Sequence, residues 1–260
     1  MAADGIARDG IKAGDVVVVT GGGGGFGRAF CRRFARGGAK VAVWDIDARA
    51  GEEIVRQIAA DGGAACFIKA DLARMEDIDA AVAQTLDVCG VPYCIINNAS
   101  IYARASVLDM APQVWERTLK INITAPFLIL RAFGPTMIER RRGVVINIAS
   151  GRALEGAVDG VGYACSKAAI LSLTKTLALD WAQHNIRVNA IIPGVSLTAQ
   201  PLGAGTTAEE LIERGRQTIP LGRIGYPEDV AGLAAFLASS DAAYMTGQGV
   251  AINGGRIMVP

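Results

Sequence analysis

Tyr163 and Lys167 stand four residues apart, and Ser150 lies 13 residues before the tyrosine. In a helix that spacing sets the phenol and the ammonium on one face. A phenol with an unperturbed pKa of about 10 is a poor base at neutral pH, and a neighbouring ammonium would favour the phenolate. The chemistry open to such a group is proton exchange with a hydroxyl held against it. Taken alone, the pair is also what a surface helix shows. Ser150, ending an apolar run, and Asn122, in the helical stretch before that run, make the constellation more specific.

A second constellation begins at Val16–Val19, which leads into Thr20-Gly21-Gly22-Gly23-Gly24-Gly25-Phe26-Gly27 and then into a helical pattern through Phe30, Phe34 and Ala35. Glycines let the backbone turn tightly against a pyrophosphate, and the helix N-terminus offers free N–H groups and a positive dipole end. A flexible turn without a ligand has the same composition. Asp45 ends the next apolar run, 18 residues beyond Gly27. A carboxylate there accepts hydrogen bonds from the adenosine ribose hydroxyls and repels a 2′-phosphate, which favours NAD over NADP. As a helix N-cap, Asp47 is at least as well placed. Arg28 and Arg49, the nearest basic residues, fit solvent-facing helix positions. Asp71-Leu72 and Asn97-Asn98-Ala99 follow two further runs, where loops of an open α/β sheet meet their ligands.

The elements that must hold these residues alternate. Apolar runs recur at Val16–Val19, Val41–Trp44, Ala64–Ile68, Tyr93–Ile96, Val144–Ile148, Val188–Ile192 and Gly249–Ile252, without the polar alternation of a half-exposed sheet. Helical spacing fills Ala48–Ala60, Met75–Val88, Pro112–Glu139 and Val161–Gln183. The pattern predicts an α/β, doubly wound Rossmann fold, with a seven-stranded, mainly parallel sheet and helices on both faces. One domain over 15–260 is expected, preceded by a flexible tail at 1–14, with a substrate lid at about 197–220.

With these motifs in place, the chain resembles the short-chain dehydrogenase/reductase family from about residue 14 to its C-terminus. The resemblance is carried by the Thr20–Gly27 turn, Asn97-Asn98-Ala99, the tetrad Asn122, Ser150, Tyr163 and Lys167, Pro193-Gly194 with Thr198, the Arg223-x-Gly-x-Pro-Glu-Asp stretch, and Thr246-Gly-Gln ending in Gly254-Gly255. It implies hydride transfer between NAD(H) and a secondary alcohol or ketone. Tyr163 would exchange the alcohol proton, Lys167 would favour the phenolate and hold the nicotinamide ribose, and Ser150 would bond the substrate oxygen. Asn122 would kink its helix and hold a water linking Lys167 to solvent. Cofactor contacts are implied for Thr20, Gly21, Gly25, Phe26, Gly27, Asp45, Asp71, Leu72, Asn98, Ala99, Tyr163, Lys167, Pro193, Ser196 and Thr198. The family also implies a homotetramer packed through two long helices, apolar here along Ala125–Ala132 and Ala168–Leu179. Two positions depart from its pattern: Ser100 replaces a usual glycine and Phe26 a smaller aliphatic residue.

Composition limits the other possibilities. Lys and Arg total 26 against 25 for Asp and Glu, which gives no electrostatic case for nucleic acid or an anionic membrane. Five scattered cysteines and one histidine suit neither a disulfide framework nor a metal site. No apolar run nears a membrane span and no secretory layout begins the chain, so a cytoplasmic location is the default. The substrate pocket is expected from Ser150, Arg152, Ala153, Leu154 and Tyr163, from Ile101–Ala105 and from Leu197–Pro220, with Arg104 and Arg152 as candidate receivers of a carboxylate. Two alternatives remain: an NADPH-dependent reductase of 3-oxoacyl thioesters, and a nucleotide-binding regulator without turnover.

Overall fold

The computed structural model describes residues 11–198 and 207–258. Strands β1 (Val16–Thr20), β2 (Lys40–Asp45), β3 (Ala64–Lys69), β4 (Pro92–Asn97), β5 (Gly143–Ile148), β6 (Ile186–Pro193) and β7 (Gly249–Ile252) form one sheet in the order β3-β2-β1-β4-β5-β6-β7. Every neighbouring pair is parallel. The described helices are α1 (Gly25–Arg36), α2 (Ala48–Ala60), α3 (Met75–Val88), α4 (Pro112–Leu119), α5 (Ala125–Arg140), α6 (Arg152–Glu155), α7 (Val161–Trp181), α8 (Ala208–Thr218) and α9 (Pro227–Ala238).

The continuous apolar runs are explained by cover on both faces. Val17 and Val19 join Phe30 and Phe34 of α1, Ile54 and Ile58 of α2 and Leu237 of α9 in one core. Val18, pointing the other way, joins Ile78 of α3, Ile129 and Phe133 of α5 and Ala178 of α7. Successive strand residues face opposite sides, so each run must be apolar throughout.

Several expectations need adjustment. The stretch read as Pro112–Glu139 contains a π-helical turn, Lys120–Thr124, between α4 and α5. Within this same stretch, to Arg140, an 18-residue window reaches the mean hydropathy (1.3) of a membrane span, contrary to the expectation that no segment does, but half of that window is buried inside the molecule. Residues 1–10 of the expected tail lie outside the described residues; Ile11 packs against the first core, and Asp15 makes a two-bonded ion pair with Arg142, each bond 2.8 Å. Residues 199–206 of the expected lid also lie outside them, while α8 follows with Thr207 and Glu210 capping its start reciprocally. The Arg223-x-Gly-x-Pro-Glu-Asp stretch proves to be the start of α9. Arg223 donates twice to Asp229, at 2.7 and 2.9 Å, and Asp229 accepts the Tyr226 N–H at 2.8 Å.

Helix α7, which carries Tyr163 and Lys167, is tied to the sheet through a buried polar ladder. Asn97 of β4 donates to Asn147 of β5 at 2.8 Å, Asn147 donates to Thr174 of α7 at 2.9 Å, and Thr174 donates to the Ile170 carbonyl at 2.8 Å. Thr174→Val keeps the shape but strands the Asn147 amide N–H, at a cost of about 1–3 kcal/mol. Thermal unfolding should show it as a lower Tm, by roughly 2–4 °C per kcal/mol for a chain of this size. An unchanged Tm would mean that the ladder does not hold α7.

Candidate active site

The strand order reverses between β1 and β4. Loops leaving those strands diverge, and a cleft of about 830 Å³ opens at the carboxyl edge of the sheet. Its size suits a ligand as large as a dinucleotide with a small substrate beside it.

At one end lies the glycine turn. Gly21 and Gly25 have φ of +63° and +48°, a region that other residues rarely adopt. Helix α1 then follows its N-cap Gly24 with no side-chain cap and no acidic residue in its first turn, leaving its N–H groups and dipole turned to the cleft that Gly24 and Gly25 line. That is an anion cradle, and it fits a pyrophosphate. Asp45 closes β2 beside it, with one carboxylate oxygen accepting the Gly23 N–H at 2.8 Å and the other the Asp47 N–H at 3.0 Å. The N-cap of α2 is Asp47, which accepts from Ala50 at 3.1 Å. Asp45 is therefore free of capping and faces the cleft with Asp71 and Leu72. Arg28 donates to Gln57 at 3.1 Å and does not line the cleft.

At the other end are Ser150, Tyr163 and Lys167. Tyr163 is 9% exposed, and burial raises its pKa; the Ser150 hydroxyl, and more weakly the Arg152 guanidinium, work in the opposite direction. The tilted Tyr102 ring lies 4.7 Å from its ring, centre to centre. Lys167 is 2% exposed, donates to the Ile148 carbonyl at 2.7 Å and sits 5.5 Å from the Tyr163 ring centre. Burial lowers its pKa to about 7. The expected lowering of the tyrosine by the lysine is thus not what dominates in the protein alone, because both groups are desolvated and the ammonium is itself disfavoured.

Of the residues anticipated from sequence, Gly21, Gly25, Phe26, Asp45, Asp71, Leu72, Asn98, Ala99, Ser150, Arg152, Tyr163, Lys167, Pro193, Ser196 and Thr198 line this one cleft. Thr20, Gly27 and Asn122 do not, and each has a structural reason. Thr20, 1% exposed, uses its hydroxyl to accept the Asn98 and Ala99 N–H groups, both at 3.0 Å. A Cβ on Gly27 would meet the Gly21 carbonyl oxygen at 1.9 Å, so this glycine packs the turn against α1. Asn122, in the π turn, accepts the Ile101 N–H at 2.9 Å and donates to the Ile101 carbonyl and to Ser166, both at 3.0 Å.

Ala153 and Leu154 are also off the lining, whereas Arg152 and Glu155 are on it, as three-residue spacing in α6 dictates. Sequence reasoning missed Arg117 of α4 and Arg256 after β7, both on the lining. The rule that ligands bind at strand carboxyl ends pointed to the second; nothing local marks the first.

Comparison with known proteins agrees with this geometry. The family described as enoyl-(acyl carrier protein) reductase matches residues 22–256. The chain is 35% identical to 2-(S)-hydroxypropyl-CoM dehydrogenase 3 of Xanthobacter autotrophicus, over 94% of this chain and 97% of that one. A solved structure from Beutenbergia cavernae with bound NADP at low occupancy superposes with a TM-score of 0.88 at 36% identity, covering 94% and 97% of the two chains. The 3-ketoacyl-(acyl-carrier-protein) reductase of Brucella melitensis, complexed with NADH, gives 0.86 at 33% identity, covering 94% and 98%. The chain belongs to the short-chain dehydrogenase/reductase family, oxidoreductases that interconvert alcohols and ketones with a nicotinamide dinucleotide.

Proposed function

We propose that the chain transfers hydride between NAD(H) and a secondary alcohol or ketone, with Tyr163 exchanging the alcohol proton. The observation that carries this reading is the meeting of Ser150, Tyr163 and Lys167 at one end of a cleft whose other end holds the glycine turn and Asp45. The bound dinucleotide would supply or accept the hydride. Ser150 orients the substrate oxygen against the phenol; Tyr163 then gives or takes the proton at that oxygen. Lys167 would hold the nicotinamide ribose, and Thr198 and the Ser196 backbone, on the same cleft lining, would hold the carboxamide. Asn122 acts by positioning, through Ile101 and Ser166.

Tyr163→Phe keeps the ring but removes the exchangeable proton, so kcat should fall by roughly 10² to 10⁴ while NADH binding, titrated by fluorescence, survives. Near-normal turnover would remove Tyr163 from the mechanism.

NAD preference is supported by Asp45 and by the hydrogen bond that ties Arg28 to Gln57. The alternative, NADPH-dependent reduction of 3-oxoacyl thioesters, would use the same tetrad and has the Brucella relative in its favour; Asp45 weighs against it. Because Asp45 also accepts the Gly23 N–H, Asp45→Asn is the informative change: it can keep that acceptor and removes the charge. The NAD-over-NADP ratio of kcat/KM should narrow by roughly five- to tenfold. A wild-type enzyme equally efficient with NADP overturns the assignment. The same reading takes the protein as a cytoplasmic homotetramer packed through α5 and α7, supported by Phe127 and Leu179, which are 48% and 82% exposed on those helices.

Lys167 gives a pH dependence of stability. Its pKa is about 7 when folded and about 10.4 when unfolded, so between those values the unfolded chain binds a proton that the folded one does not. Stability therefore rises with pH across that window, and below about 7 the full cost of the buried charge remains. Lys167→Met should raise the Tm of the cofactor-free protein at pH 7, and the gap from wild type should shrink by pH 9.5. A variant less stable than wild type at pH 7 would contradict the burial argument.

A further inference from the structure

Charge is divided along the cleft by the order of the strands. Asp45 ends β2 and Asp71 follows β3, on the proposed dinucleotide side of β1. On the other side every strand leads to an arginine on the lining: Arg104 and Arg117 after β4, Arg152 after β5, Arg214 of α8 after β6 and Arg256 after β7. Among the described residues Glu155 is the one carboxylate lining that half.

Among the described residues none of these five arginines has a carboxylate within 4.0 Å; elsewhere some arginines are ion-paired, as in Arg142–Asp15 and Arg223–Asp229, and others, such as Arg33 and Arg131, are not. One of them acts on the phenol, and a second stands over the ring next to it. The Arg152 guanidinium is close enough to draw Tyr163 toward its charged form, and Arg104 lies 5.6 Å over the Tyr102 ring that stacks on Tyr163. All five are exposed residues on one concave lining, where like charges sum to a positive field that an anion relieves. The planar guanidinium fork matches the paired oxygens of a carboxylate, sulfonate or phosphate.

We propose that the substrate is itself anionic: a secondary alcohol or ketone bearing a carboxylate, sulfonate or phosphate group, which Arg104 and Arg152 grip beside Tyr163 while the other three arginines draw it in. This rests on the reading of Tyr163 as the proton-exchanging group, since the anionic group is placed relative to the carbon that reacts there.

The test compares matched pairs with NAD: short hydroxyalkanoates against their methyl esters, then hydroxyalkyl sulfonates and phosphates of equal length to rank the three head groups. The charged member should lead in kcat/KM by at least about tenfold at low ionic strength, and its lead should shrink with added salt. In Arg104→Gln and Arg152→Gln the charged-over-neutral ratio should fall by a similar factor, chiefly through KM. In parallel, the enzyme–NADH complex is titrated with butyrate and butanesulfonate, which cannot react, and with butyramide. Both anions should bind and the amide should not, and Arg152→Gln should weaken the anions while leaving NADH affinity unchanged. Neutral substrates that match or outrun the anions, or anions that bind no better than the amide, overturn the inference and leave the oxidoreductase reading standing. Anions that bind while no alcohol or ketone turns over would instead sink the reading of Tyr163. Arginine variants that weaken NADH alone would assign those side chains to the dinucleotide and end the proposal.

Discussion

The chemistry of this protein depends on holding one helix at a fixed depth and rotation, and that task falls to hydrogen bonds. Apolar burial is non-directional, so a helix packed on an oily sheet face by that force alone can slide or roll. Helix α7 is tied at three points instead: Thr174 accepts from Asn147 of β5, Lys167 donates to the Ile148 carbonyl of β5, and Ser166 accepts from Asn122 in the π turn. Ser150 lies just past the end of the same β5. The strand and helix that bear the groups proposed to react therefore share one polar frame. The π turn has its reason here, since a local change of helical pitch is a common device at functional sites.

That frame supports residues which lower stability. Lys167 is buried against a backbone carbonyl with no carboxylate partner among the described residues, and Tyr163 is almost as deeply enclosed. Desolvation disfavours the charged form of each. A sequence selected only for folding would place apolar groups there. The two large cores, one on each face of the sheet, offset the cost, so the strain stays at the carboxyl edge where ligands enter.

How much was legible in the sequence follows from what is local. Strands could be read because burial on both faces leaves unbroken apolar runs, and α2 and α3 could be bounded to the residue by their own periodicity. Helix α9 escaped notice: Gly232 interrupts its pattern, and its start is set by the Arg223–Asp229 pair. Tyr163 and Lys167 announce themselves by four-residue spacing. Arg117 and Arg256 cannot, because 139 positions separate them and only the strand order brings them to one cleft. Motif reasoning marked Thr20, Gly27 and Asn122 as special; in the structure their side chains or packing serve the turn, the loop and the helix rather than the cleft lining. A motif records that a residue type is required and not which way it faces.

The contact of Gly27 with the Gly21 carbonyl leaves no room for a single methyl group, and the atom met is backbone that cannot swing aside. Asp45, by contrast, borders open space and holds the turn through a bond that another acceptor could make. The nucleotide end thus has one rigid part and one adjustable part. On the proposed reading, sequence variation over evolutionary time or in a directed library could retune which dinucleotide is favoured at the end of β2 without disturbing the turn proposed to hold the shared pyrophosphate. A fold so divided can exchange one redox pool of the cell for another by a few substitutions.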